Sequence, residues 1–177
     1  TRNNTFNNNS IVSHVDLDLD LSIASTAGNY TYFMDSVIRN YSFTGVGSIT
    51  IFNDSRFGEV RFLDTVNGSG ANLSNMVRIG NNSVFVNDSI VGGGGFNRSA
   101  NVTLLTLSTA FTDPVILRND ATICNVTQGG GCANFTSLNA GAVRFNATGW
   151  SNYSIAERPD TTVPGITIRS PEAKGYS

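Results

Sequence analysis

The pattern with the clearest chemistry in this sequence is asparagine followed two places later by serine or threonine. The chain has 177 residues, with 22 asparagines, 19 serines and 18 threonines. Roughly five such tripeptides are expected by chance from this composition, but 15 are present, none with an intervening proline. The tripeptide is the acceptor for N-linked glycan. An alternative is that these residue types recur because they form turns. The predicted acceptors are Asn3, Asn8, Asn29, Asn40, Asn53, Asn67, Asn72, Asn81, Asn87, Asn97, Asn101, Asn125, Asn134, Asn146 and Asn152.

Glycosylation at many of these positions predicts an extracellular protein, on a cell surface or an appendage of it. Glycans are bulky and polar, so the asparagines that carry them must face solvent. The chain contains a single lysine, Lys174. This scarcity fits a surface covered with sugar rather than with charge.

The two cysteines, Cys124 and Cys132, are separated by a short, glycine-rich connection. Such a connection between two strand-like segments predicts a hairpin, in which cross-strand cysteines can form a disulfide. A two-thiol metal site and two free thiols are the alternatives. No histidine or second cysteine pair lies nearby to complete a metal site, so we predict a disulfide.

Asp16, Asp18 and Asp20 alternate with leucines and so share one face of a predicted strand. Three neighbouring carboxylates repel each other unless they are solvated or bridged by a cation. Calcium, which takes oxygen ligands, is the candidate metal. A solvated outer face of a half-buried strand is the alternative. No other cofactor is expected.

Catalytic chemistry finds little support in the sequence, and we predict that the protein is not an enzyme. Glu59 and Asp64 flank Arg61, a group that cross-strand ion pairing explains. His14 is the only histidine, and no G-x-S-x-G nucleophile motif is present. A polysaccharide-active enzyme that uses Asp18 or Glu59 is the remaining enzymatic alternative.

Aromatic residues cluster between positions 30 and 43. Alternating tyrosines and phenylalanines on a strand could stack against sugar rings, which would indicate a carbohydrate-binding or adhesion module. They could equally pack inside the protein or at a subunit interface. The cluster consists of Tyr30, Tyr32, Phe33, Tyr41 and Phe43.

Composition excludes several partners. The net charge is −2, and charged residues make up only 14% of the chain, so there is no basic surface for nucleic acid. No stretch of 18 apolar residues occurs, so no membrane span is expected.

A signal peptide is also missing, which suggests a processed chain or a fragment. Apolar residues make up 40% of the chain, enough for a core.

The secondary-structure elements that position these residues are all predicted to be β-strands. Apolar and polar residues alternate with period two, and clusters of Gly, Asn and Asp separate the runs. The alternating runs are residues 15–23, 48–52, 59–63, 83–87, 102–107, 115–118, 142–147 and 165–169. The prediction is an all-β fold.

We predict two regions and a tail. Residues 1–91 have asparagine-rich corners and form either parallel β-helix coils of about 20–30 residues or a sandwich. Gly92–Gly95 mark a break, after which residues 96–158 form a small antiparallel β-sandwich that contains the cysteine hairpin. Trp150 is expected to fill its core.

Residues 159–177 are predicted to be a linker followed by one strand. The strand comprises Ile166, Thr167, Ile168 and Arg169. It could fold back on the sandwich, begin a further domain, or be donated to a neighbouring subunit by β-augmentation. The last alternative makes these four residues the candidate intersubunit strand.

Together these segments resemble a family of secreted archaeal surface proteins, in which asparagine-rich parallel β-helix coils precede a β-sandwich module. The matching segments are residues 3–10, 59–70, 82–87, 97–104, 114–117, 134–141 and 143–155. Residues 164–171 are similar to the first strand of an immunoglobulin-like domain that often follows in such chains. The resemblance implies a cell-surface role and carries no catalytic motif.

These observations lead to one expectation about function and one alternative. We expect an extracellular, N-glycosylated structural protein of a cell surface or surface filament, assembling with copies of itself through β-strand contacts. The alternative is a carbohydrate-binding or adhesion module.

Overall fold

The computed structural model describes residues 4–7, 10–11, 19–21, 30–43, 49–87, 94–126, 131–161 and 165. Strands predominate in these residues. The helices among them are two short 3₁₀ turns, Leu73–Asn75 and Gly94–Phe96. The prediction of an all-β fold is therefore confirmed.

The first seven strands form the coil-like part of the molecule. They are β1 (Asn4–Asn7), β2 (Ser10–Ile11), β3 (Leu19–Leu21), β4 (Tyr30–Met34), β5 (Val37–Ile38), β6 (Asn40–Phe43) and β7 (Ile49–Asp54). β1 pairs in parallel with β4, β2 with β5, and β3 with β6. β4 in turn pairs in parallel with β7.

The register of these parallel pairs shows how the described strands stack on each other. Asn4 lies opposite Thr31 and Ser10 lies opposite Val37, an offset of 27 residues in both ladders. An equal offset in two successive strands means that one coil lies directly above the next, as in a parallel β-helix. The third ladder has an offset of 22 residues, because Leu19 lies opposite Tyr41. The described N-terminal strands therefore stack in parallel, with connections of unequal length.

The remaining strands, with one exception, contribute to an antiparallel sandwich. They are β8 (Gly58–Phe62), β9 (Gly68–Ala71), β10 (Val77–Gly80), β11 (Ser83–Val86), β12 (Ala100–Leu104), β13 (Pro114–Arg118), β14 (Thr122–Ile123), β15 (Cys132–Asn134), β16 (Val143–Ala147) and β17 (Asn152–Glu157). The exception is β9, which pairs antiparallel with β6 in a three-stranded sheet of order β3-β6-β9. One sheet has seven strands in the order β1-β4-β7-β8-β12-β16-β15, and another has five in the order β10-β11-β17-β13-β14.

The predicted boundary at residues 92–95 does not separate two cores. β8 pairs with β12 in the seven-stranded sheet, and β11 pairs with β17 in the five-stranded sheet. Both pairings join strands that precede the glycines to strands that follow them. The hydrophobic core likewise runs as one cluster from Phe33 to Ile155. The described parts of 1–91 and 96–158 therefore share both sheets and their core.

Gly95, the last residue of the glycine run, positions a core residue and does not act as a spacer between two regions. Gly95 lies so close to the backbone of Asn67 that a Cβ on it would be 1.7 Å from the Asn67 carbonyl oxygen. This close approach needs glycine. It delivers the next residue, Phe96, into the core, where its side chain is fully buried.

Phe96 lies at the centre of an aromatic cluster that joins the coils to the sandwich. Its ring centroid is 5.8–6.3 Å from the rings of four residues: Tyr41, Phe43, Phe52 and Phe62. Most of these contacts are edge-to-face, the arrangement that aromatic quadrupoles favour. Trp150 continues the cluster against Phe62 and is buried, as the sequence predicted.

The disulfide forms between Cys124 and Cys132, whose Cα atoms are 5.4 Å apart. The predicted hairpin between them is wrong: β14 pairs with β13, and β15 pairs with β16. Cys124 follows β14, at one edge of the five-stranded sheet, and Cys132 begins β15, at one edge of the seven-stranded sheet. The disulfide therefore links the two layers of the sandwich.

Candidate functional site

One concave surface of the described residues is a groove that runs along β10 and has a volume of about 1270 Å³. We call it the β10 groove. All four residues of β10 line it, together with the turns that follow β4 and β7. Its volume exceeds the roughly 300–1,000 Å³ of an ordinary small-molecule pocket, so it can hold an extended ligand.

The floor of the groove is apolar. Phe33 and Phe52 stack there with their ring centroids 5.1 Å apart. Val77 and Ile79 of β10 lie beside them, Val77 buried and Ile79 partly buried. The floor therefore belongs to the inner faces of the two sheets, where the layers diverge.

One wall carries two aspartates in tight turns. Asp35 follows β4 with a left-handed φ of 46°, and its Oδ1 accepts a hydrogen bond of 2.9 Å from the Ser55 amide. Asp54 ends β7, and its Oδ1 accepts hydrogen bonds from the amides of Arg56 and Phe57. Each carboxylate thus accepts hydrogen bonds from backbone amides of a tight turn.

The Arg56 guanidinium completes the Asp54 turn, with its Nη2 3.1 Å from Asp54 Oδ2. Partial burial raises the pKa of the Asp54 carboxyl, but the hydrogen bonds and the positive charge of Arg56 outweigh it, so the pKa lies below its ordinary value. The same pairing raises the pKa of Arg56. This ion pair fixes the shape of the wall.

We expect the depressed pKa of Asp54 to be measurable by carboxyl NMR titration. The contribution of its charge to stability is present above the unfolded-state pKa of about 3.9 and is lost as the pH falls through the lower folded-state pKa. Arg56→Ala should raise the pKa part of the way to its ordinary value, since the two amide hydrogen bonds remain. Arg78→Ala is the control. An equal shift in both variants would contradict the assignment.

The opposite wall is the β10–β11 hairpin. The guanidinium of Arg78 lies 4.6 Å from the centroid of the Phe85 ring, a cation–π contact on the outer face of the hairpin. The hairpin turn is held by Asn82, whose side chain both donates to the carbonyl of Ile155 and accepts from its amide. This anchors one end of β10 to β17.

The structure describes 12 of the 15 predicted glycan acceptors, and none of the 12 is buried. Four are fully exposed: Asn67, Asn81, Asn97 and Asn134. The other eight are half-buried: Asn40, Asn53, Asn72, Asn87, Asn101, Asn125, Asn146 and Asn152. Asn3, Asn8 and Asn29 lie outside the described residues.

Some of the half-buried acceptors already make side-chain contacts. Asn101 and Asn146 lie directly opposite each other on β12 and β16, and Asn146 Nδ2 donates to Asn101 Oδ1 over 3.2 Å. Asn152 Nδ2 and the Ser154 hydroxyl both donate to the carboxylate of Asp120. These acceptors are less open to modification in the folded chain than the four exposed ones.

The structure separates the five residues of the predicted aromatic cluster into three buried side chains and two partly exposed ones. Tyr41, Phe43 and Phe33 are buried, and burial raises the pKa of the Tyr41 phenol. They cannot form a sugar-binding surface, because they fill the core. Tyr30 and Tyr32 remain partly exposed on the outer face of β4, with ring centroids 6.0 Å apart.

Glu59 and Arg61 form an ion pair within β8, with Arg61 Nε 3.3 Å from Glu59 Oε1, and not across two strands as predicted. The Arg61 guanidinium also lies 5.8 Å from the Tyr30 ring centroid. Asp64 does not join them; its carboxylate accepts a hydrogen bond from the Thr65 amide. The pair is therefore part of the outer face and is not joined by a third charge.

Several predicted site residues lie wholly or partly outside the described residues. They are His14, Asp16, Asp18 and the side chain of Asp20, together with Ile166, Thr167, Ile168 and Arg169. The calcium prediction and the intersubunit strand are thus not described. Within the described ranges, no group of three or more His, Cys, Asp or Glu side chains is placed to hold a metal ion.

Sequence reasoning missed the β10 groove. Asp35, Asp54, Arg56 and Arg78 are scattered along the chain, and no spacing rule joins them. The one local signal was Asn53–Phe57, where aspartate followed by serine and arginine just after a strand-like run is typical of a tight turn.

Comparison with protein-family models, with curated proteins and with solved structures finds no match to this chain. None of the helices in the described part of the chain is long and apolar enough to cross a membrane.

Proposed function

We propose that the chain is an extracellular, N-glycosylated structural protein of a cell surface or surface filament, and that it assembles with copies of itself through β-strand contacts. The observation that carries the proposal is the position of three strands at the outer end of the stacked coils. β1, β2 and β3 are each the outermost strand of their ladder, and all three belong to the same coil. The three described strands of this coil therefore all lie at the outer end of their ladders.

An exposed strand edge is a template for pairing with another chain. Within the described residues, no strand pairs with the outer side of β1, β2 or β3. Three such edges in one coil offer backbone hydrogen bonds on three sides of the molecule at once. A second coil can stack on them in the way that the first stacks on β4, β5 and β6.

Asparagines that are not glycan acceptors differ from the acceptors in their side-chain contacts, and this difference supports the glycan part of the proposal. Asn82 and Asn139, which are not glycan acceptors, use both ends of the side-chain amide to pair with backbone groups. The acceptors Asn67, Asn81 and Asn97 are exposed. Turn formation explains Asn82 and also Asn81, which stands in the β10–β11 turn, but it does not explain Asn67 or Asn97.

Imaging of the native material by negative-stain electron microscopy tests the assembly. Ordered filaments or sheets are expected. Monodisperse particles would count against self-assembly.

Mass spectrometry of enzymatically deglycosylated native protein tests the glycans. We expect modification at Asn67, Asn81, Asn97 and Asn134, the four exposed acceptors. Asn101 and Asn146 should seldom be modified on the same molecule, because directly opposed residues lie only about 5 Å apart. Unmodified asparagine at all 15 acceptor positions would refute the glycoprotein assignment.

A carbohydrate-binding module is the second candidate, favoured by the outer face of the seven-stranded sheet. Tyr30, Tyr32 and the Glu59–Arg61 pair lie together there, combining aromatic rings with charged hydrogen-bonding groups. Binding on a glycan array that is lost in Tyr32→Ala and kept in Phe135→Ala would support this candidate. Phe135 is exposed and lies on the edge strand side of the sheet, away from the tyrosines.

A further inference from the structure

Asn101 and Asn146, two of the predicted glycan acceptors, form a pair in which the two side-chain amides make different contacts. They lie directly opposite each other on β12 and β16, and both are half-buried. Asn146 Nδ2 donates one hydrogen bond of 3.1 Å to the Ala100 carbonyl and one of 3.2 Å to Asn101 Oδ1. The two N–H groups of Asn146 thus have two acceptors.

The Ala100 carbonyl fixes the orientation of both amides. A carbonyl oxygen only accepts, so the atom of Asn146 that faces it must be the nitrogen. The same nitrogen faces Asn101, so the atom of Asn101 that meets it must be the oxygen, Oδ1. Reversing the Asn146 amide would place two acceptors against each other, and reversing the Asn101 amide would place two donors against each other.

The nitrogen of the Asn101 amide points away from Asn146. Oδ1 and Nδ2 leave the same planar carbon in different directions, and Oδ1 is held by Asn146. Asn101 Nδ2 donates to no residue in the part of the chain that the structure describes. An N-linked glycan is attached to this nitrogen. The pair therefore presents one open acceptor nitrogen, on Asn101, and one that is already hydrogen-bonded, on Asn146.

We propose that Asn101 carries the glycan of this pair and that Asn146 is a positioning residue, which holds Asn101 Oδ1 and keeps Nδ2 open. The inference rests on the proposed glycosylation and assigns it to one of two opposed acceptors. In the transfer, Asn101 Nδ2 forms a bond to the anomeric carbon of a sugar supplied by a glycosyl-phosphate donor. The bond from that carbon to the phosphate oxygen breaks, the phosphate leaves with the electron pair, and Nδ2 loses one proton.

A glycan on Asn146 would remove contacts that a glycan on Asn101 leaves intact. A glycosylated amide nitrogen keeps one N–H, so Asn146 would lose its bond to the Ala100 carbonyl or its bond to Asn101 Oδ1. Asn101 loses nothing, because a glycosylated amide still accepts through its oxygen. One ordinary hydrogen bond corresponds to a factor of about five in an equilibrium, and this factor sets the expected preference.

A glycan on Asn101 begins on the outer face of the seven-stranded sheet. Asn101 lies opposite Arg61 of β8, and Arg61 lies opposite Ile51 of β7. Ile51 in turn lies opposite Tyr32 of β4, so the four residues form one row across the sheet. Neighbouring strands are about 4.8 Å apart, so the first sugar is a neighbour of the Arg61 side chain. The glycan thus shares the face on which Tyr32 lies.

Site-resolved mass spectrometry of the native protein tests the assignment. Arg118 and Arg144 separate the two acceptors into different tryptic peptides. Enzymatic release of the glycans in heavy-oxygen water converts each glycosylated asparagine into a labelled aspartate, so the occupancy of each site can be measured. We expect occupancy at Asn101 to exceed that at Asn146 by about fivefold or more. Equal occupancy, or higher occupancy at Asn146, would overturn the proposal.

The two acceptor tripeptides can be removed one at a time without changing either asparagine. Thr103 completes the tripeptide of Asn101, and Thr148 completes that of Asn146. Each variant is produced in the organism that makes the protein, and its intact mass is compared with that of the wild type. Thr103→Ala should lower the mean number of glycans, and Thr148→Ala, the matched control, should leave it unchanged. The reverse result would contradict the assignment.

Asn146→Asp tests the positioning role. Aspartate has nearly the shape of asparagine but only accepts, so Asn101 Nδ2 should turn to donate to it and no longer be open. We expect occupancy at Asn101 to fall about fivefold, with occupancy at Asn67 and the melting temperature unchanged. Asn146→Gln keeps an N–H donor and should retain more glycan at Asn101 than Asn146→Asp does. Wild-type occupancy at Asn101 in Asn146→Asp would refute the positioning role.

The pattern of modified sites separates this inference from the proposed function. Glycan at other acceptors but none at Asn101 would overturn the inference, while the glycoprotein assignment would stand. Absence of glycan from all 15 acceptors would instead refute the proposed function.

Discussion

Phe96→Ala is expected to lower the free energy of unfolding by about 3–5 kcal/mol, the usual cost of truncating a buried phenylalanine. Phe96 is fully buried and contacts four aromatic rings that come from β6, β7 and β8. Removing its ring leaves a cavity at the junction of coil and sandwich. Since a domain has only about 5–15 kcal/mol of stability, the variant should unfold at much lower urea concentration.

The matched control is Phe135→Ala, because Phe135 is 59% exposed. Its substitution should change the midpoint of urea unfolding little. Circular dichroism at 25 °C verifies that both variants are folded before denaturant is added. Equal destabilisation by the two substitutions would show that Phe96 is not the centre of the core.

Replacing both cysteines by serine is expected to destabilise the protein by about 2–3 kcal/mol, the value that the chain-entropy model gives for a short closed loop. Cys124 and Cys132 are eight positions apart and are both buried. Because the bond joins β14 to β15 across the sandwich, its loss should affect the free edges of both sheets. Urea unfolding measures the total effect.

Amide hydrogen exchange locates the effect of the disulfide. Faster exchange is expected at Cys124, whose amide donates to the Ile116 carbonyl, and at Phe135, whose amide donates to the Arg144 carbonyl. These two amides lie in different sheets. A change confined to one sheet would contradict the bond as a link between layers. Wild-type protein treated with reductant should behave like the serine variant.

Local pattern was enough to predict strands where burial alternates strictly. β12 and β16 alternate buried side chains with half-buried or exposed ones. The sequence predicted strands at 102–107 and 142–147, and the structure has them at Ala100–Leu104 and Val143–Ala147. The period-two rule succeeds there because one face of each strand packs on the core and the other meets solvent. The same rule placed Tyr41 and Phe43 on one face of a strand.

The rule did not predict whether that face of the strand would be buried or exposed. Tyr41 and Phe43 alternate as Tyr30 and Tyr32 do, yet the first pair is buried and the second lies on the surface. Alternation fixes relative orientation within a strand, and only packing against Phe96 decides that one pair is core. For this reason only two residues of the predicted aromatic cluster, Tyr30 and Tyr32, remain on the surface.

The sequence by itself determined the all-β class, the disulfide pair and the 15 acceptor tripeptides, because each of these depends on residue type and short spacing. Tertiary structure alone decided that Gly95 and Phe96 join the two regions and that the disulfide spans two sheets. It also decided that Asp35, Asp54 and Arg78 line one groove. These features depend on contacts between residues far apart in the chain, and no local pattern of residues encodes such contacts.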